Sequence, residues 1–430
     1  MGLPAIEPMP PLAVGVGLPW DTAVADPVAA LAAARARHGD TFAVDSGEDR
    51  YLFTFSARGV ESFYALPEEV ASKGLADFLM LRRKLPAEIF SGRRTLPSQL
   101  FRRDDVTSYL ANLSVALAAT AEELGERGDT DVFALTRRLA HRMGLASWAG
   151  PGCAEGPAFE RLVAAFDRLD GADAFVHPDA MAAVAASGHA AERAAVEEIV
   201  AEIAAAMDRP AAGHPLFARI SAAWAGQPDA VRRRGVGLDV ALIHVASMSN
   251  LAAALGWLLV DLLAHPDELD RVRGGDRALA EQCALESTRL AQRSIMPRYV
   301  VAAVDFDTGD ETYRVAPGAT IATLLPLTNT TAGPGLREWN PRRWHRHRLA
   351  EPSGLDCPEL VTAFGHGKHS CPAQPFALAA MAATATQLFG VYELTPRWPS
   401  PPVPLAAQIG GVARAAGPTP VSYRRRSGAV

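Results

Sequence analysis

"FGHGKHSCPAQPFALAAMAAT", Phe364–Thr384, places two histidines, a lysine and a cysteine in a glycine-rich turn and then runs into small apolar residues. Pro372 and Pro375 suit a first helical turn, because proline fixes a helical φ and lacks an N–H that would go unpaired there anyway. A helix is therefore expected from about residue 374 to 389. Cys371 falls just before its N-terminus, where free N–H groups carry partial positive charge and favour a thiolate over a thiol. Gly365 and Gly367 let the preceding backbone fold back and aim further amides at the sulfur. Several uses are open to such a sulfur: nucleophile, zinc ligand, haem-iron ligand, or a buried structural cysteine beside a solvated Lys368 and His369. A zinc site would draw on Cys357, His366, His369 and Cys371, at a spacing that matches no finger or ribbon. A nucleophile needs a partner base, and the sequence singles out none.

The rest of the chain sets bounds. Its 430 residues are 49% apolar and 21% charged, ordinary proportions for a globular protein with a buried core. The formal net charge of −6 creates no basic field for nucleic acid. Cys153, Cys283, Cys357 and Cys371 are few and scattered, which argues against a disulfide framework and for a reducing, cytoplasmic setting. The N-terminus has no basic segment followed by a long apolar run, so neither signal peptide nor membrane anchor is expected. Val240–Val260 has no formal charge, but it carries His244, Ser247, Ser249 and Asn250 mid-chain. It is expected to be a helix buried in a large core rather than a membrane span.

Along the chain, Asp26, Pro27 and Gly39 bracket a helix as N-cap, first-turn proline and stop. "TFAVDSG" and "RYLFTFS" suggest a hairpin. Residues 60–300 look almost wholly helical. Strand-like pieces return at "RYVVAAVDF", "ETYRVAPG" and "ATIATLL", and the tail from Ile409 alternates like a hairpin. The expectation is one large, mainly α unit over residues 1–430 with small β-sheets towards its two sequence ends.

The cysteine turn resembles the cysteine loop of the cytochromes P450, the haem-thiolate monooxygenases. Phe364, Gly367, His369 and Cys371 stand at that loop's spacing, and Ala373 replaces its final glycine. "ESTR" resembles the family's helical Glu–Arg pair, here Glu286 and Arg289, and "NPRRW" supplies the later partner as Pro341, Arg343 and Trp344. The N-terminal layout and the last strands resemble the family too, so the likeness spans nearly the whole chain. It implies the P450 fold and a haem b whose iron is bound by Cys371. It also implies Arg298 and His369 at the haem propionates, Phe364 and Gly367 shaping the loop, and Glu286, Arg289 and Arg343 as structural residues. Thiolate ligation favours O–O cleavage once oxygen is bound.

The resemblance breaks at the centre of the long helix. Counting back from His265 and Pro266, the family's acid–threonine pair falls on Ser249 and Asn250. A buried asparagine needs a partner, and water in a haem pocket would supply one. Asn250, with Arg298 nine positions after Arg289, resembles a branch that holds sterol side-path hydroxylases and prostacyclin synthase. The expected activity is monooxygenation of a mid-sized, mostly neutral small molecule from a biosynthetic pathway, with Asn250 and Ser249 as catalytic residues. One alternative is an isomerase or dehydratase that needs no electrons. Another is a haem carrier or sensor in which His244 provides a second ligand. By resemblance the substrate pocket takes in His244, Ser247, Met248, Ser294, Ile295, Met296, Ile409 and Gly410. No G-x-G-x-x-G follows a strand, so electrons would come from a separate ferredoxin and ferredoxin reductase. Arg342, Arg346, Arg348 and Lys368 form a candidate docking patch.

Overall fold

The apolar run of Val240–Val260 lies inside one helix of 36 residues, Asp229–Ala264, in the computed structural model. The structure describes residues 2–92, 94–95, 100–171, 177–211, 213–346, 348–349 and 354–427. The long helix packs against the helices Val132–Trp148, Ala190–Ala206, Arg277–Ala291 and Gln374–Val391. Its glycines mark the closest approaches. A Cβ on Gly237 would lie 2.9 Å from the Val200 Cα, and one on Gly256 would lie 2.6 Å from the Phe133 ring. Among the described residues this is the one helix long and apolar enough to cross a membrane, and most of its apolar stretch is buried in the core.

Local signals fold as their chemistry suggests. Asp26 caps the helix Pro27–His38 by accepting from the Ala29 N–H, and Gly39 ends it at φ 87°. Thr41–Ser46 and Asp49–Thr54 form the expected antiparallel hairpin. They open a five-stranded sheet that continues through Thr320–Leu324 and Ile295–Val300 to Ala71–Ser72. This sheet matters for the site. Its Ile295–Val300 strand starts three residues before the expected "RYVVAAVDF" and holds Met296 and Arg298 on a rigid element.

The tail departs from expectation. Pro420–Arg425 does not pair within the tail but lies between Tyr392–Pro396 and Arg127–Asp131. A strand at residues 127–131 was not expected, because that stretch is polar and short and only its distant partner makes it a strand. The architecture is otherwise mainly helical with small sheets, as the sequence suggests.

Candidate active site

The cysteine helix runs Gln374–Val391, with Pro375 in its first turn. The turn before it is closed by the Cys371 N–H donating to the Phe364 carbonyl at 2.7 Å. Gly365 takes φ 78°, and a Cβ there would meet the His369 carbonyl oxygen at 2.6 Å, so the loop has room only for glycine at this point. The N–H groups of Ala373 and Gln374 donate to the Cys371 sulfur. Burial nevertheless pushes this thiol up, against those two amides and the Lys73 ammonium. The helix end alone therefore does not make the thiolate. It lowers the cost, and a cation at the sulfur would supply the rest.

Zinc ligation by Cys357, His366, His369 and Cys371 finds no support in the geometry. Among the described residues, the one group of three or more candidate ligands within reach of one another is Glu61, Cys357 and Glu359. His366 bonds instead to the Val361 carbonyl at 3.1 Å.

"ESTR" is no surface pair, since Glu286 and Arg289 are both fully buried. Their two hydrogen bonds are 2.9 and 2.7 Å long. Arg343 Nε donates to Glu286 at 2.8 Å, and the Trp344 indole N–H donates to the same carboxylate at 2.9 Å. Burial would raise the Glu286 carboxyl, but the guanidinium of Arg289, the Asn340 amide and Arg343 outweigh it and hold it below its ordinary value. Arg289 also donates to the carbonyls of Asn329 and Leu336. Asn329 in turn donates to the Thr362 carbonyl at 2.9 Å, and the Thr362 N–H donates back to Asn329. The network thus grips the chain two residues before the cysteine loop.

Two cavities adjoin along the long helix. One, of about 730 Å³, is lined by Cys371, Phe364, Lys368 and His369. The other, of about 850 Å³, lacks the cysteine loop in its lining and is called the outer cavity for its place away from Cys371. Ala246, Asn250, Ser294, Met296, Gly411 and Val412 face both. Ser247 and Met248 line the cysteine side, and Ile295, Ile409 and Gly410 line the outer one. Gly367 is exposed at φ 56° on the loop between His366 and Lys368.

His244 lines neither cavity, which corrects its expected place on the pocket wall. It is fully buried between His141, at 2.8 Å, and the Trp148 indole N–H, at 3.2 Å. Both ring nitrogens are engaged, so it does not reach the cysteine side as a second ligand. Asn250 finds a backbone partner rather than relying on water alone: its Oδ1 accepts from the Val412 N–H at 2.9 Å. Ser249 donates to Asp170, and Asp170 is ion-paired to Lys84 at 2.6 Å. Sequence reading missed Lys84 and Asp170. Neither sits in a motif, and only folding brings them to Ser249.

No protein-family model matches the chain. Among characterised proteins, Homo sapiens 24-hydroxycholesterol 7-alpha-hydroxylase is 29% identical over 161 residues, 32% of this chain. The match spans 33% of that protein, so the chain covers about a third of the length of this relative. Over the whole fold, the crystal structure of the P450 CYP175A1 from Thermus thermophilus superposes with a TM-score of 0.67 at 20% identity. The superposition covers 94% of this chain and 95% of that one. The chain folds as a cytochrome P450.

The P450 fold implies a haem, and the residues at the cysteine-side cavity fit one. The sulfur of Cys371 faces that cavity with two amides behind it. Phe101, Tyr109, Trp148 and Phe376 offer flat apolar walls. The Thr288 hydroxyl lines the same space, fully buried and without a hydrogen-bond partner among the described residues. Arg298 is fully buried, donates to the carbonyls of Ala71, Phe63 and Leu66, and sits 2.6 Å from His369 Nε2. Burial lowers both groups, and Arg298 further lowers His369. His369 and Glu68 line the cavity and Arg298 lies behind them, with Glu68 3.6 Å from both Arg298 and His369, so a haem carboxylate would meet this cation–imidazole pair through His369 and beside a carboxylate already in place.

Proposed function

We propose that this chain is a haem-thiolate monooxygenase acting on a mid-sized, mostly neutral organic molecule. The observation that carries the reading is that Cys371 and Asn250 face one cavity inside a P450 fold. In this reading haem b is held by Cys371, with Arg298 and His369 at its propionates and the Glu286–Arg289–Arg343 network bracing the loop. The bound haem supplies oxygen activation, helped by thiolate donation. The chain's own residues bind and orient. Met296, Ile295 and Ile409 offer apolar walls to the substrate, and Asn250 orders water through its amide nitrogen, which has no protein partner among the described residues. Support for the substrate class comes from the outer cavity's size and from a relative named for hydroxylating an oxysterol. Electrons come from a ferredoxin and its reductase in a reducing, cytoplasmic setting, consistent with four free cysteines.

Replacing Cys371 by Ala should abolish the red-shifted Soret band of the ferrous carbonyl form. A variant that keeps the band refutes the ligand assignment. The absence of the family's acid–threonine pair favours one competing reading, an isomerase or dehydratase. Product formed anaerobically without reductant would establish that reading in place of ours. We expect a blank.

A further inference from the structure

The outer cavity has apolar walls, from Leu81 and Leu85 to Val245 and Ile409, yet a charged pair is set into it. Lys84 is 4% exposed and Asp170 8% exposed, and both line this cavity and not the cysteine-side one. Apolar pockets that carry a few placed polar groups use them to orient a ligand. A carboxylate offers about four acceptor positions. Lys84 and Ser249 donate to Asp170, one on each oxygen, and Arg137 lies 3.7 Å away. Among the described residues two of those positions are filled by hydrogen bonds, and Asp170 lines the cavity.

The charge state decides what can use it. Burial would raise the Asp170 carboxyl, but Lys84, the Ser249 hydroxyl and Arg137 outweigh it and hold the group ionised. An ionised carboxylate only accepts, so it needs a donor from the ligand. The other cations on this wall are engaged, and Asp131, which also lines it, accepts from the backbone N–H groups of Phe133, Ala134 and Thr419. Lys73 pairs with Asp77, Arg137 pairs with Asp167, and Arg414 is likewise engaged. Nothing in this balance calls for an anion.

We propose that Asp170, braced by Lys84 and Ser249, is the docking point for a hydroxyl group at one end of an otherwise apolar substrate. Ser249 precedes Asn250, which faces both cavities. A molecule anchored by its hydroxyl in the outer cavity would therefore send an apolar carbon past Asn250 to the cysteine side. This deepens the function proposed above and rests on it only in calling the ligand a substrate. The test measures binding without turnover, so a failed monooxygenase assay and a failed docking test are distinct results.

The holoenzyme is titrated calorimetrically with androstan-3-ol, its 3-ketone and the parent androstane. The alcohol should bind about tenfold or more tighter than both, because a site built to bond a hydroxyl rejects analogues that lack the donor. In Lys84→Met/Asp170→Leu, which removes the pair as a unit, the three affinities should converge while androstane keeps its own. Lys84→Met/Asp170→Asn supplies an amide donor and should bring the ketone level with the alcohol. The proposal is overturned if alcohol and ketone bind wild type alike, if the alcohol binds no tighter than androstane or not at all, or if its advantage survives in a folded Leu variant. The wild-type ranking decides even where a variant does not fold.

Discussion

Asn250 stands where a threonine would be expected, and it does two jobs. Its carbonyl oxygen fixes the Gly410–Val412 turn through the Val412 N–H, while its amide nitrogen is left to the cavities. Asn250→Ala should raise hydrogen peroxide released per NADPH and lower product. Relay groups contribute about 10²–10⁴-fold, so coupling measured by oxygen and product stoichiometry should fall visibly. Loss of the Val412 bond should cost only about 1 kcal/mol of stability. His244 carries a different expectation. Burial, with His141 and Arg137 nearby, holds its pKa well below the ordinary 6.5. Below pH 6.5 the unfolded chain binds a proton that the fold refuses, so stability is lost as pH falls, by up to about 1.4 kcal/mol per pH unit. Asp261, a half-buried carboxyl raised by desolvation to about 6, acts in the opposite sense. The measurement is therefore a difference: chemical denaturation between pH 7 and 5 should show a shallower loss in His244→Gln than in wild type. Equal slopes would mean that His244 is protonated in the fold.

At the scale of elements, the helix Arg277–Ala291 works as a clamp rather than as a wall. Glu286 gathers Arg289, Arg343, Trp344 and the Asn340 amide, and Arg289 passes the hold to the segment leading to Cys371. Glu286→Ala leaves Arg289 buried without its carboxylate, at a cost of roughly 3–5 kcal/mol. Thermal melting of the apoprotein should drop sharply, and haem content after expression should fall with it. Normal melting and haem loading would reduce the cluster to decoration. The Gln374–Val391 helix was legible because prolines and small apolar residues mark its start locally. The strand Arg127–Asp131 was not, because its pairing with Pro420–Arg425 joins segments nearly 300 residues apart.

For the whole molecule, charge is distributed against its mean. The chain is net −6, yet Lys368 on the cysteine loop and Arg342, Arg346 and Arg348 on the segment that precedes it in sequence are all exposed. Gathered on one face they would steer an acidic ferredoxin, and salt screens that attraction over about 10 Å at 0.1 M. The reduction rate of the holoenzyme by an acidic ferredoxin should therefore fall steeply with ionic strength. A rate indifferent to salt would remove the steering role.

The sequence alone determined what short spacings can carry. Cys371 at a proline-marked helix start, Glu286 and Arg289 on one helical face, and an uncharged run too polar for lipid are all facts of neighbouring residues, and the fold was expected from the resemblance of the cysteine loop, "ESTR" and "NPRRW" to the P450 motifs. Only the tertiary structure decided which way the helix residues face. It turned His244 into the core towards His141 and Trp148, and turned Asn250 to the cavities. It also brought Lys84 and Asp170 to Ser249 across 165 and 79 positions of chain. The reason is physical: helix spacing groups residues on a face, but which neighbour covers that face is set by packing, and a buried charge reveals its purpose only through the partner that makes burial tolerable.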